Sequence, residues 1–192
     1  MMSEPTDKTL LRRQMRQVRR MAAAAAPDAA VRAARLSIDW LPAFRCVAGY
    51  VAQGSEIDPL PLMRRLAEIG AALALPVAEV RDGPLAFQAW APGQSLVPDA
   101  FGVPAPSGAP AATPDLVIVP LLAFDRSGGR LGQGAGHYDR TLAALRAAGP
   151  VFALGLAYAA QGLDRLPCEP HDQPLDAILT ETQFFPVARE ER

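Results

Sequence analysis

The sequence contains a single lysine, Lys8, among 19 basic residues. Cysteine is almost as scarce: Cys46 and Cys168 stand far apart with no CxxC or Cys-His spacing. That excludes a disulfide framework and a zinc knuckle, and it fits a reducing, cytoplasmic compartment. The two histidines, His137 and His171, have no metal-pair spacing. Aromatic residues make up 6% of the chain and the formal net charge is -1, which argues against a nucleic-acid partner. No apolar run is long enough to span a bilayer, and the N-terminal arginines alternate with apolar residues instead of preceding them, so neither a membrane segment nor a signal peptide is expected. What is plentiful is apolar surface. Half of the 192 residues are hydrophobic, enough for one core, so a single domain spanning 1–192 is expected and whole-chain disorder is excluded.

Leu10, Leu11, Met15 and Val18 recur at helical spacing over Thr6 to Met21. A second helical pattern restarts after Pro27 and Asp28 and runs through Val31, Ala34, Leu36 and Ile38 to end near Pro42. Cys46 to Val51 reads as a strand. Pro59 to Ile69 reads as a helix, with Asp58 as its N-cap and Gly70 as its stop. Ala72 to Leu75 and Leu85 to Trp90 are further strands, and 91–114, dense in proline and glycine, is a long connection without regular period. Asp115 to Val119 is a branched apolar run of the kind buried on both faces of a parallel sheet. Tyr138 to Ala148 then reads as a helix, and Val151 to Leu156 and Leu175 to Leu179 as the last strands; Trp40 and Trp90 are assigned to the core by default. Strands alternating with helices predict an α/β domain, a central mostly parallel sheet flanked by helices on both faces.

The stretch Asp125 to Arg140 follows the apolar run and holds Gly128, Gly129, Gly132, Gly134 and Gly136. Backbone without side chains lets amide N–H groups approach an anion, and the helix that follows adds its free N-terminal amides. Arg130 and Arg140 offer charge-assisted bonds to phosphate oxygens, and Asp139 an oxygen ligand for Mg²⁺. The pattern is neither a Walker A loop, since no Gly-Lys-Ser/Thr follows, nor a Rossmann fingerprint, since His137 stands where the third glycine belongs. A glycine-rich surface turn has the same composition, so both readings stand at this point. The sole ammonium, Lys8, lies four residues before Arg12 on one helical face, where two cations can converge on one ligand or simply face solvent. Glu56 and Asp58 follow the first strand, at the carboxyl end where α/β sheets gather ligands, although ordinary loop acids occur there too. Asp172 sits in the polar loop Pro170 to Pro174, where it could approach the glycine stretch, and His137 and His171 are read as helix start and loop.

These pieces together resemble the 5-formyltetrahydrofolate cyclo-ligase family: Lys8-x-x-x-Arg12, Glu56-Ile57-Asp58, Pro114 to Pro120 running through Phe124-Asp125 to Gly136-His137-Tyr138-Asp139, and His171 to Asp176. The resemblance implies a monomeric, cytoplasmic enzyme that acts on ATP and a small-molecule folate, with no nucleic-acid or membrane partner. It implies ATP contacts at Lys8, Arg12, Arg130, Leu131, Gly132, Gln133, Gly134, Ala135, Gly136, His137 and Tyr138, with Lys8, Arg130 and Tyr138 serving the chemistry. Folate contacts are implied at Val51, Glu56, Gly134 and Tyr138, and Mg²⁺ ligands at Asp139 and Asp172. The implied reaction is ATP-driven cyclisation of 5-formyltetrahydrofolate to 5,10-methenyltetrahydrofolate through a phosphorylated formyl group. A paralogue using the same ATP site on another N-formyl or amide substrate, or a non-catalytic nucleotide-binding module, would share the same motifs. The family often has Tyr-Tyr-Asp where this chain has His137-Tyr138-Asp139, so the first aromatic's contact does not carry over.

Overall fold

A computed structural model describes residues 8–37 and 40–187. In chain order its elements are α1 (Lys8–Ala25), α2 (Ala29–Leu36), β1 (Cys46–Ala48), α3 (Leu60–Glu68), β2 (Ala72–Val77), β3 (Ala86–Ala89), β4 (Val97–Pro98), β5 (Pro104–Ala105), β6 (Leu116–Pro120), β7 (Ala123–Phe124), β8 (Arg130–Leu131), α4 (His137–Ala148), β9 (Phe152–Leu156), β10 (Ala177–Leu179) and β11 (Phe184–Pro186). Thr6, Asp7 and Ile38, which the sequence assigns to the first two helices, lie outside the described residues.

The apolar run of β6 occupies the middle of a seven-stranded sheet ordered β11-β10-β9-β6-β1-β2-β3. Its pairings with β9 and β1 are parallel, as are those of β1 with β2 and of β9 with β10; only the edge strands β3 and β11 are antiparallel. Period-two alternation divides the core in two. Leu116, Ile118, Leu154 and Leu73 face a layer completed by Ala33 of α2 and Leu62 and Leu66 of α3. Val117, Val119, Ala153 and Ile178 face the opposite layer, completed by Leu142 of α4. The expected single α/β domain, a mostly parallel sheet with helices on both faces, is what is seen.

From β1 the chain leaves through α3 to β2, and from β6 through α4 to β9, so the connections part on opposite faces and in opposite directions. Between the carboxyl ends of β1 and β6 this leaves the crevice where open α/β sheets bind ligands. Several sequence assignments are corrected. The second helix ends at Leu36, well before Pro42, and the last strand is β11, paired antiparallel with β10. The connection 91–114 contains the hairpin β4–β5, pinned by Asp99, whose Oδ1 accepts the N–H groups of Phe101 and Val103. Trp40 is not core: it is 62% exposed and stacks on Phe184 with ring centroids 5.9 Å apart. Residue type alone misleads there, because the indole finds its partner in Phe184 of the edge strand β11 and is otherwise largely open to solvent. The N-cap position of α3 is Pro59 and not Asp58, which sits one residue before it and accepts the Leu60 N–H through Oδ1 at 2.9 Å.

The bend after β6 is held by one buried amide. Gln161 Nε2 donates to both Leu121 O and Leu122 O at 2.9 Å, and its Oε1 accepts the Tyr158 N–H at 2.8 Å. Gln161→Ala is expected to leave these groups unpaired and cost about 1–3 kcal/mol. In urea denaturation the midpoint should fall while the slope stays the same.

Candidate active site

A cavity of about 520 Å³ opens at the crevice. Every residue to which the family resemblance assigns an ATP, folate or Mg²⁺ contact lines it: Lys8 and Arg12 of α1, Val51 and Glu56 after β1, the whole of 130–139 that the signature spans, and Asp172. Arg140 does not; its Nη2 donates to Ala135 O at 2.5 Å instead.

α1 can serve both core and cavity because of its amphipathic spacing. Leu11, Met15 and Val18 pack against Leu122, Leu131 and Leu166, while Lys8, Arg12 and Arg19 reach the cavity from the same side at i, i+4 and i+11. Lys8 Nζ lies 3.0 Å from Glu169 Oε1 and 3.6 Å from Asp172 Oδ2. Arg12 Nε donates to Gly132 O at 3.1 Å, and Arg16 Nε to Gln133 Oε1 at 3.0 Å, so the helix grips the glycine loop along its length.

The loop needs its glycines at two points. Gly134 has φ 111° and Gly136 φ 68°, both in the region that L side chains rarely adopt. Gly136 opens α4 with no side-chain cap, so the first-turn amides keep their capacity for an anion. His137 is the first residue of α4, as expected, and its Nδ1 lies 3.0 Å from Gly83 O.

Arg130 is engaged within the protein. Its Nη2 meets Asp139 Oδ1 at 2.6 Å and its Nη1 donates to Gln173 O. The same Asp139 oxygen accepts the Gln173 N–H at 2.9 Å, which ties the start of α4 to the loop carrying Asp172. The Arg130 side chain is only 5% exposed. Burial pulls its pKa below the ordinary arginine value, with the Asp139 charge opposing that shift. Glu169, His171 and Asp172 place ligand atoms within 4.8 Å of one another, and the hydrogen bond to Gln173 brings Asp139 alongside their loop. Carboxylate oxygens are the donors that Mg²⁺ selects, so the chemistry of this set fits that ion.

On the other side of the cavity, Glu56 Oε1 lies 3.3 Å from Arg19 Nη1, and Oε2 accepts the Gln53 N–H at 2.9 Å. Burial, and next the Glu56 charge, push the Tyr138 phenol far above its ordinary range, with Arg130 opposing, so the phenol remains a neutral donor at physiological pH. Val51, Tyr50, Leu121, Phe101 and Val103 give this side its apolar walls. The last two come from the hairpin β4–β5, which the sequence reading treated as irregular; the signal available was the Pro98-Asp99 turn followed by Gly102. Arg19 and Glu169 were also missed. Arg19 could have been found by extending the Lys8, Arg12, Met15 stripe one more turn.

The 5-formyltetrahydrofolate cyclo-ligase family profile matches residues 4–181. The chain is 39% identical over 189 residues to the 5-formyltetrahydrofolate cyclo-ligase of Mycolicibacterium smegmatis, covering 92% of this chain and 94% of that one. It is 34% identical over 147 residues to the Escherichia coli K12 protein of the same name, covering 72% and 79%. Among solved structures, Aquifex aeolicus 5,10-methenyltetrahydrofolate synthetase superposes with a TM-score of 0.72 at 26% identity, covering 96% of this chain and 95% of that one. The Mycoplasma pneumoniae synthetase shares the fold at 22% identity and a TM-score of 0.70, covering 92% and 99%.

Proposed function

The chain belongs to the 5-formyltetrahydrofolate cyclo-ligase family, and from that premise we propose that its cavity converts 5-formyltetrahydrofolate and ATP into 5,10-methenyltetrahydrofolate, ADP and phosphate. A formamide oxygen leaves poorly. Once that oxygen attacks the γ-phosphorus of ATP and ADP departs, the formyl carbon carries a phosphate leaving group; N10 then bonds to the carbon, the C–O bond breaks, phosphate leaves and N10 gives up its proton. Phosphoryl transfer needs positioning and charge neutralisation more than a protein nucleophile. The residues fit that need. Lys8 and Arg12 supply cations to the phosphates, loop 132–136 and the start of α4 supply amides, and Tyr138 offers its phenol O–H at the junction with the folate side. Asp139 and Asp172 would hold Mg²⁺, which when bound neutralises phosphate charge. Val51 and the neighbouring apolar wall accept the folate ring system, and Glu56 accepts its N–H groups.

The observation that carries this reading is that a single cavity is lined by both sets, Lys8, Arg12 and the glycine loop together with Val51 and Glu56. Among the described residues no helix is long and apolar enough to cross a membrane. Purified protein mixed with ATP, Mg²⁺ and 5-formyltetrahydrofolate is expected to generate the near-ultraviolet absorbance of the methenyl product, and none without ATP. ATP hydrolysis that tracks some other amide, with no such absorbance, would contradict the substrate assignment. Within this scheme Glu56→Gln is expected to raise the folate KM about 10-fold or more, the scale of one hydrogen bond to a charged group. The KM for ATP should stay within about 2-fold, since Glu56 lies on the folate side; steady-state titration of each substrate separates the two.

A further inference from the structure

Arg19 is the one buried arginine of α1. Its side chain is 8% exposed, and that of its partner Glu56 is 12% exposed. The guanidinium makes three contacts: Nε donates to Ser55 Oγ at 3.2 Å, and Nη1 to Glu56 Oε1 at 3.3 Å and to Leu121 O at 3.5 Å. Leu121 O also accepts from Gln161, so the cation is anchored to the buried bend at the end of β6. The Glu56 carboxylate is thereby held at both ends, Oε1 by α1 and Oε2 by the Gln53 N–H of its own loop. A carboxylate has about four lone-pair sites, so each oxygen keeps capacity for one more donor after these bonds.

A buried ion pair is weak evidence for stability, because apolar residues of similar volume often serve a fold as well or better. Here the pair lines the cavity: Arg19 and Glu56 both contribute to its wall, beside Tyr50 and Tyr138. Resting on the reading of Glu56 as a folate contact, we propose that Arg19 is a positioning residue for the folate. Anchored by Ser55 Oγ, its guanidinium fixes the Glu56 carboxylate through Nη1 in the orientation that accepts two parallel N–H groups from the amidine edge of the pterin. Arg19 thus acts on substrate recognition through Glu56 and has no part in holding the nucleotide, which Lys8 and Arg12 grip about three and two turns away on the same helix.

Four variants test this: Arg19→Met, Arg19→Lys, Glu56→Gln, and Arg19→Met combined with Glu56→Gln. For each, kcat and the separate KM values for 5-formyltetrahydrofolate and ATP are measured alongside a thermal melt. Arg19→Met is expected to raise the folate KM about 10-fold or more, on the scale of a lost charged hydrogen bond, with the ATP KM within about 2-fold. Arg19→Lys should recover part of the loss. The double variant should be no worse than Glu56→Gln alone, because two residues acting through one contact are non-additive. An unchanged folate KM in folded Arg19→Met, or penalties that multiply in the double variant, overturns the proposal. So does an equal rise in both KM values without rescue by lysine, which would mark Arg19 as merely structural. If Glu56→Gln leaves the folate KM unchanged, the reading of Glu56 fails and this inference with it; if Glu56→Gln raises it and Arg19→Met does not, the inference alone fails. Should Arg19→Met not fold, Ser55→Ala decides: a rise of about 10-fold in folate KM is expected from losing one hydrogen bond to the charged guanidinium, and no change overturns the proposal.

Discussion

Replacing Lys8 with alanine is expected to lower kcat/KM for ATP by about 10²–10³-fold, equivalent to about 2.7–4 kcal/mol of transition-state stabilisation, the scale found when one preorganised donor to developing charge is removed. No other lysine can substitute for it. Its ammonium already stands over the acidic loop, 3.0 Å from Glu169 and 3.6 Å from Asp172, at the rim of the cavity that the glycine loop lines. A compact point charge in that position can follow phosphate oxygens as charge moves onto them, which a planar guanidinium does less well. Lys8→Arg should therefore restore only part of the rate. The fold should be little affected, because partly exposed ion pairs contribute about 0–1 kcal/mol. Initial rates from product absorbance, together with a thermal melt of each variant, check both statements; normal turnover by Lys8→Ala would remove that residue from the mechanism.

Asp139→Ala is expected to lose activity by about 10²-fold or more and, unlike Lys8→Ala, to lose stability as well. Read from the sequence alone, Asp139 is a cleft residue whose removal should spare the fold. The structure changes that expectation: Asp139 Oδ1 neutralises Arg130, whose side chain is 5% exposed, and also receives the Gln173 N–H. Removing one partner of a buried pair costs about 3–5 kcal/mol, and the lower end applies because Asp139 itself is 22% exposed. Combining Asp139→Ala with Arg130→Met should restore much of the urea midpoint without restoring turnover. Asp139→Asn, which keeps an acceptor for both donors, should lie between the two in stability and still require more Mg²⁺ for half-maximal rate. Equal Mg²⁺ dependence in Asp139→Asn and the parent protein would deny Asp139 a part in holding the ion.

How much of this could be read from the sequence depended on how locally each feature is determined. The DLVIV run marks the central strand because four branched apolar residues in succession, Leu116 to Val119, suit a strand buried on both faces. The helix from His137 and the glycine loop before it were legible for similar reasons, since chain punctuation and period coincide there. The hairpin β4–β5 was not, because its strands are two residues each and its order comes from Asp99 bonding across the turn. β11 exists through pairing with β10, a tertiary event that leaves little mark on Phe184–Pro186 itself. At the site, residue types announced Lys8, Arg12 and Asp139, while partnerships remained invisible: Arg130 reads as a phosphate contact until its bonds to Asp139 and Gln173 are seen. Arg19 stayed hidden among five other cations of α1, because burial of a single member of a basic helix is set by what packs over it.

The position of the nucleotide decides whether this cavity works as proposed. A crystal structure of the protein with Mg²⁺ and a non-hydrolysable ATP analogue should place the terminal phosphates between Lys8 Nζ and the amides of residues 132–137, with the γ-phosphorus facing the side of the cavity that Val51 and Glu56 line. Density for the triphosphate elsewhere, with Lys8 still paired to Glu169 and Asp172 and the loop amides unengaged, would contradict it.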